Sequence, residues 1–381
     1  MGRLNTRTLL NRLQALGMAS RAELAKSLGM SQPTAGRIVD ELLTLGVLEE
    51  ISSQENPPPD AEAKGVTGRL GRPGRLLRLD NSKPRFLAIQ LAVKKTSFAL
   101  LPVGFKGKDQ WAFDCPTATS ERELATQLQS AADRLDQRDF WGILVSVPGV
   151  VDETSGQVVY SPNLHWTEQA KLPQLLAKVW KAPVMLVQEE RALALGHHAT
   201  VPDREDFILV DFGEGVGGSV VLEGRLCVTP SPVSGELGHI PVPGNRRKCG
   251  CGAIGCLETL VSTRGLLESF TQSSASGSAA TWPRLVEQIS REGIPPWLAE
   301  ALDAAAMAID GALNLMGLRR VVITGALSDM PPAVMNYLSE AILRGALWAR
   351  FGQVDISCAP RRRLAGLVAA GIDNLICLTP T

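Results

Sequence analysis

Apolar residues recur at helical spacing through the first fifty positions of the chain and at strand spacing after position 86. Leu9, Leu10, Leu13 and Leu16 lie three or four apart and give way to Gly17, which predicts a first helix. Ser20-Arg21-Ala22-Glu23 has the reciprocal pattern of a capping box, opening a second helix from about Arg21 to Leu28, before Gly29. Ser31 can cap a third helix with Pro33 in its first turn; Ile38, Val39, Leu42, Leu43 and Leu45 are expected to face inward, and Gly46 ends it. Helix, short glycine-containing turn and capped helix is the arrangement of a helix-turn-helix. Val47–Ile51 reads as a strand whose natural partner is Leu76–Leu79, and such a pair would form a wing. Residues 52–75, with Pro57-Pro58-Pro59 and four glycines, are too irregular for a compact hairpin and read as a flexible wing or linker.

From Phe86 the texture alternates. Strands are expected at Phe86–Val93, Ser97–Val103, Trp111–Cys115, Trp141–Val147, Val184–Val187, Phe207–Asp211, Gly218–Leu222 and Arg320–Thr324. Helices are expected at Glu121–Leu135 and near 297–315, 331–349 and 362–376. This is the texture of an α/β domain of mixed sheets and covering helices over residues 81–381, behind a smaller domain over 1–80. The sequence has no strict internal repeat.

The 381 residues suffice for two or three domains, and 45% hydrophobic with 20% charged residues is ordinary for a soluble protein. No run of 18 apolar residues is present, and the first residues lack the apolar core of a signal peptide, so a cytoplasmic protein without membrane contact is expected. The net charge is zero, but residues 63–79 hold Lys64, Arg69, Arg72, Arg75 and Arg78 with no acid. That run suits either an anionic polymer or a solvated linker.

Seven cysteines, an odd number, argue against a disulfide framework. Three of them, with one histidine, form the strongest chemical signal: His239, Cys249, Cys251 and Cys256. One imidazole and three thiolates match a closed tetrahedral zinc site, and with no position left for water the zinc would be structural. Cys115, Cys227, Cys358 and Cys377 read as packing residues, and His165, His197 and His198 lack partners close in sequence. A second signal is the glycine-rich turn Asp211-Phe-Gly-Glu-Gly-Val-Gly-Gly-Ser219, which can bring backbone N–H groups to phosphate or serve only as a tight connection. A third is Ser234-Gly-Glu-Leu-Gly-His239. There Glu236 would either accept from a sugar hydroxyl or merely orient the zinc ligand.

Together these stretches, with "VPGVVD" at 147–152 and "SPNLHW" at 161–166, resemble the ROK family of repressors, open reading frames and kinases. The N-terminal "SRAELAKSLGMSQPTAGRIVDELLTLGVLEE" followed by "GRPGRLLRLD" is similar to the repressor branch, which includes regulators of N-acetylglucosamine, glucose and xylose genes. The resemblance implies an actin-like, ribonuclease-H-like two-lobe ATPase fold behind a winged helix-turn-helix. Position by position, it implies a sugar site at Asn163, Gln188, Glu189, Glu236, His239 and Glu258.

The departures from the kinase pattern are informative. Where kinases of the family carry Asp-x-Gly-Gly-Thr-Lys for ATP phosphates, this chain has Gln90-Leu91-Ala92-Val93-Lys94-Lys95. Where they carry Asn-Asp, with the Asp as base, it has Gln188-Glu189. No catalytic residue is therefore expected. The resemblance implies a sugar-responsive regulator of carbohydrate genes, binding an A·T-rich inverted repeat in double-stranded DNA as a homodimer or homotetramer. Gln32, Thr34 and Arg37 would enter the major groove, and Arg72 and Arg75 the minor groove or only a turn. A kinase with a fused DNA-binding domain, and a regulator controlled by a protein partner, are the alternatives.

Overall fold

The structure, a computed structural model of the chain, describes residues 2–51, 75–201, 205–229, 232–273 and 280–377. Arg72 and nearly all of the expected linker lie outside these residues.

The N-terminal unit begins with α1 (Gly2–Leu16), β1 (Ala19–Ser20), α2 (Arg21–Ser27) and α3 (Gln32–Thr44). Ser20 and Glu23 form the capping box at α2, and the Ser31 hydroxyl accepts from the Thr34 N–H at α3. These caps satisfy amides that a helix start leaves without partners. Then β2 (Leu48–Ile51) and β3 (Leu76–Leu79) pair antiparallel, Leu48 opposite Leu79, and β1 adds to the other edge of β3. Leu9, Leu10, Leu13, Ile38, Val39 and Leu42 are buried as expected. Leu45, expected inside, is exposed: α3 ends at Thr44, and Leu45 is the residue that follows it.

Two five-stranded sheets follow. The first holds β4 (Phe86–Leu91), β5 (Lys95–Leu101), β6 (Phe113–Pro116), β7 (Gly142–Val147) and β10 (Val184–Gln188). Its order is β10-β7-β4-β5-β6. It is covered by α4 (Glu121–Leu135) and α5 (Leu172–Trp180), with a small hairpin of β8 (Val150–Asp152) and β9 (Gln157–Tyr160) at one end. Helix α6 (Glu189–Thr200) leaves directly from β10. The second sheet holds β11 (Phe207–Phe212), β12 (Val216–Leu222), β13 (Arg225–Leu226), β14 (Arg320–Gly325) and β15 (Asp355–Cys358), in the order β13-β12-β11-β14-β15. Its helices are α7 (Glu258–Val261), α8 (Thr263–Ser273), α9 (Trp282–Glu292), α10 (Pro296–Met316) and α11 (Pro332–Gly345); α12 (Arg363–Gly371) returns to pack on α6.

The two sheets share one plan: a three-strand antiparallel meander whose first strand pairs parallel with a fourth, and the fourth with a fifth. The chain is thus a duplicated topology that no sequence repeat announces. The central strands β4, β7 and β11 are buried at every position, as covering helices on both faces require. The α/β fold and its two lobes agree with the architecture implied by the family resemblance. The exposed Cys227 and Cys358 are not the packing residues expected of them, since each lies at the open end of an outer strand.

A candidate ligand pocket beside a four-ligand metal centre

A cavity of about 310 Å³ opens beside the ends of the central strands of both sheets. Asn163, Gln188, Glu189, Glu236, His239 and Glu258, spread over 96 positions of sequence, all line it. Its volume lies at the small end of ligand cavities and suits a molecule of monosaccharide size.

Strand β10 ends on Gln188, which is buried and serves as the residue before α6, so Glu189 and Glu190 open that helix at the cavity wall. The Gln188 amide nitrogen donates to Glu236 Oε1 at 3.3 Å. Glu236 lies on a short turn between β13 and the metal loop, where burial lifts its carboxyl above the ordinary value against the pull of His239. Glu258, the first residue of α7, accepts from the Val216 N–H at 3.0 Å and so pins the glycine-rich turn. Asn163 stands exposed on the rim.

His239, Cys249, Cys251 and Cys256 bring one ligand atom each to within 4.8 Å of all the others. Cys251 and Cys256 sulfurs are 3.7 Å apart, and Cys249 Sγ is 3.6 Å from His239 Nδ1. A tetrahedral zinc with Zn–S near 2.3 Å has ligand–ligand edges of about 3.8 Å, which those two separations approach, so the donor set suits such an ion. Burial and the adjacent thiols push the Cys256 thiol up to about 12, a cost that a bound dication would remove. The loop's closure depends on glycine at 255, where φ is +89° and an added Cβ would meet the Asn245 carbonyl at 2.9 Å.

The structure also brings to the pocket residues that sequence reasoning missed. Arg361 grips Asp211 with two bonds of 2.7 Å, and its guanidinium lies against Gly213 and Gly325; an added Cβ at Gly325 would sit 2.8 Å from Nη2. Burial works against this cation, but the paired Asp211 outweighs it and raises the arginine's pKa. Arg363, almost fully buried, bonds both Asp109 and Glu189. Gln90 also donates to Glu189, at 3.4 Å. Across the cleft, Lys94 of the β4–β5 turn meets Glu214 of the glycine-rich turn at 2.8 Å. The run Arg361-Arg362-Arg363 was visible in the sequence as three consecutive cations before a helix; its buried carboxylate partners were not.

In the N-terminal unit, Gln32 and Arg37 are exposed on α3, while the Thr34 hydroxyl is within 2.8 Å of Ser31 at the cap. Arg75 is exposed and paired with Glu50, which also takes Arg21. Helix α1 docks on the larger domain through Arg7 and Asp373 at 2.6 Å, through Lys106 donating to the Gln14 carbonyl, and through packing against α6.

The ROK family profile matches residues 86–370. A protein of Caldicellulosiruptor sp. named a putative xylose repressor is 28% identical over 258 residues, 65% of this chain; the match spans 61% of that relative, under two thirds of its length. The DNA-binding transcriptional dual regulator NagC of Escherichia coli is 23% identical over 363 residues, 91% of this chain and 86% of its own. A crystal structure described as a ROK family transcriptional regulator, a homolog of the E. coli MLC protein, superposes with a TM-score of 0.72 at 19% identity. It covers 99% of this chain and 98% of its own.

Proposed function

The chain belongs to the ROK family, and on that premise we propose that it is a sugar-responsive transcriptional repressor. Residues 1–80 would bind DNA as a winged helix-turn-helix, and the kinase-like domain over 81–381 would sense a sugar without phosphorylating it. NagC and the MLC homolog, both named as regulators, match this chain over most of their lengths and support the reading. The observation that carries it is the mechanical path from pocket to DNA reader. Glu189 and Arg363 open α6 and α12 at the cavity, α1 packs on α6, and Arg7 of α1 pairs with Asp373 just beyond the end of α12.

The pocket suits binding more than turnover. Phosphoryl transfer depends on positioned groups around the γ-phosphate. Here Arg361 fills the gap between Gly213 and Gly325, and Ala92 and Val93 replace glycines at the opposing turn. Glu189, where a base would stand, is neutralised by Arg363. The zinc held by His239 and the three cysteines is structural. It fixes the loop that carries Glu236 and Glu258 to the cavity, and Asn163, Gln188, Glu189 and His239 complete the sugar's partners.

On DNA, α3 enters the major groove with Gln32, Thr34 and Arg37, and Arg75 with Arg72 reaches backbone or minor groove. Two such units suit an A·T-rich inverted repeat. A second copy has an apolar strip to use: Met307 and Leu315 on α10 are exposed beside Ile240. The test is a gel-shift on the chain's own upstream DNA with and without sugars. Binding to an inverted repeat, weakened about tenfold by Arg37→Ala and released by a sugar, is the expected result. Failure to prefer any duplex over random DNA at physiological salt would end the proposal.

A further inference from the structure

Arg363, the first residue of α12, is held by two carboxylates at once. Its side chain is 5% exposed; one terminal nitrogen bonds Glu189 at the cavity and the other bonds Asp109 at 3.1 Å. Asp109 belongs to the connection between β5 and β6, and its second oxygen accepts the Leu364 N–H at 2.9 Å. Arg363 Nε is buried with no hydrogen-bond partner among the described residues. A buried donor without a partner is costly, so this pairing leaves the guanidinium something to gain by moving. Glu189 accepts Arg363 and Gln90 at the same oxygen, Oε1, and its Oε2 takes no hydrogen bond among the described residues. A ligand hydroxyl that bonds Oε2 competes for the carboxylate that now holds Arg363.

Three residues before Asp109, no more than about 11 Å of chain, Lys106 is fixed to the other side. Its ammonium donates to the Gln14 carbonyl, and its own carbonyl accepts from Arg362 at 3.1 Å. Gln14 lies in the last turn of α1, where carbonyls lack partners within the helix and a cation is favoured. Further back, the Gly104 N–H donates to the Asp80 carbonyl at 2.9 Å, just past β3. An added Cβ at Gly104 would meet the Leu79 carbonyl at 2.7 Å, so the backbones touch there. Val103 is buried in the same apolar cluster as Leu10 and Leu13 of α1 and Leu367 of α12, and Phe105 packs against that cluster.

We propose that residues 103–109 form a strap that carries the state of Glu189 to the DNA-reading unit, with Arg363 as its movable coupling. When a ligand draws Glu189 away, Arg363 turns more fully to Asp109. Burial lifts the Asp109 carboxyl above its ordinary value, and the charge of Arg363 is the first influence that draws it back, so Asp109 gains from the exchange. The strap follows Asp109, and Lys106 shifts at the C-terminal end of α1. Arg7 and Asp373 hold the first half of that helix, so α1 pivots about their contact and re-aims α2 and α3, which come next in the chain. The inference rests on the sugar-sensing reading and assigns its coupling to a segment outside both the pocket and the DNA face.

The experiment compares the zinc-loaded full chain with Lys106→Met and Asp109→Asn. Gel-shifts on the chain's own upstream DNA, with and without glucose, xylose or N-acetylglucosamine, give the coupling, and calorimetry gives sugar affinity. Lys106→Met should keep sugar affinity, and DNA affinity without sugar, near the wild type, while the factor by which sugar weakens DNA binding falls at least about threefold. Asp109→Asn keeps an acceptor for Leu364, loses the charge, and should cut the coupling likewise. An undiminished sugar effect in either variant would overturn the strap and leave sugar sensing standing. If no sugar alters DNA binding, sugar sensing fails, and the strap is then judged without ligand; the same measurement decides if a variant does not fold. Glu189→Gln weakens the hold on Arg363 from the cavity side, and amide hydrogen exchange should change about threefold or more at residues 103–109 and 12–16, with 121–135 of α4 unchanged. Unaltered exchange at 103–109 or at 12–16 would overturn the inference.

Discussion

Helices α6 and α12 cross with their backbones in contact, and one methyl group decides whether they can. An alanine at 366 would drive its Cβ into the Ala192 carbonyl oxygen, 2.6 Å from the carbonyl carbon and 2.8 Å from the Gly196 nitrogen. Gly196 faces the same crossing: its added Cβ would overlap the Arg362 carbonyl and sit 3.0 Å from the Gly366 nitrogen. Two effects oppose one another in Gly366→Ala. Alanine is favoured over glycine in a helix interior by about 0.8–1 kcal/mol. Overpacking a core typically costs about 1–3 kcal/mol, and here the obstacle is backbone that no rotamer change can move aside. Every residue of α12 is buried, so the helix cannot simply lift away. The clash should win, with a net loss of about 2 kcal/mol. Gly311, inside α10, provides the control because an added Cβ there meets nothing within 4 Å. Gly311→Ala should therefore stabilise by about 0.5–1 kcal/mol. Urea titrations of the three proteins, compared by midpoint at constant m, measure both values. If Gly366→Ala is as stable as the wild type, the close crossing is wrong.

Four further outcomes are expected. Cys251→Ser should cut zinc, measured by elemental analysis, well below one equivalent per chain and lower the melting temperature, since structural zinc contributes folding free energy directly. A full complement of zinc in that variant would remove Cys251 from the site. Glu190→Gln should be neutral at pH 4.5 and increasingly stabilising up to pH 8, because the native carboxyl keeps its proton to about 8 and the wild type loses stability as pH rises through that window. At pH 7 the difference is at most about 3 kcal/mol, at 1.36 kcal/mol per unit, and a difference that does not change with pH would refute the assignment. ATP–Mg²⁺ with hexoses, pentoses and N-acetylated amino sugars should yield no sugar phosphate; turnover of about 1 per second or more on any of them would restore the kinase alternative. Arg7→Ala should leave DNA affinity within about threefold but blunt the sugar's effect on it, which paired gel-shifts with and without sugar would reveal.

Much of this was legible along the chain because it is local. The capping box at Ser20–Glu23, the Ser31 cap and the Glu121–Leu135 helix follow from neighbours within a few residues, and the structure places them as read. The four residues that could hold a metal were equally plain from their spacing, and the structure gathers them. What stayed hidden depends on distant partners. Arg361 and Arg363 looked like the start of a helix until Asp211, Asp109 and Glu189, more than 140 positions away, turned out to meet them. Glu190 sat unnoticed beside Glu189, because a second carboxylate in a row gives no sign of which one is buried. The repeated sheet plan left no trace in sequence, since strand order constrains burial and pairing and leaves residue identity free. Leu45 was misjudged because α3 ends one residue before it, so the helical periodicity that put it inside no longer holds there.

The backbone-to-backbone crossing of α6 and α12 turns the pair into a lever arm. At 1.5 Å per residue, the nine residues of α12 are about 13 Å long, and the crossing glycines leave no soft side-chain layer to absorb a push at one end. A tilt of about 5° at the pocket would carry the Asp373 end through about 1 Å. Hydrogen-bond distances span only about half an ångström between good and lost, so a displacement that size is enough to break the Arg7–Asp373 contact or to re-aim α1. A ligand that merely rearranges Glu189 and Arg363 can therefore be felt at the far side of the fold without any domain having to unfold.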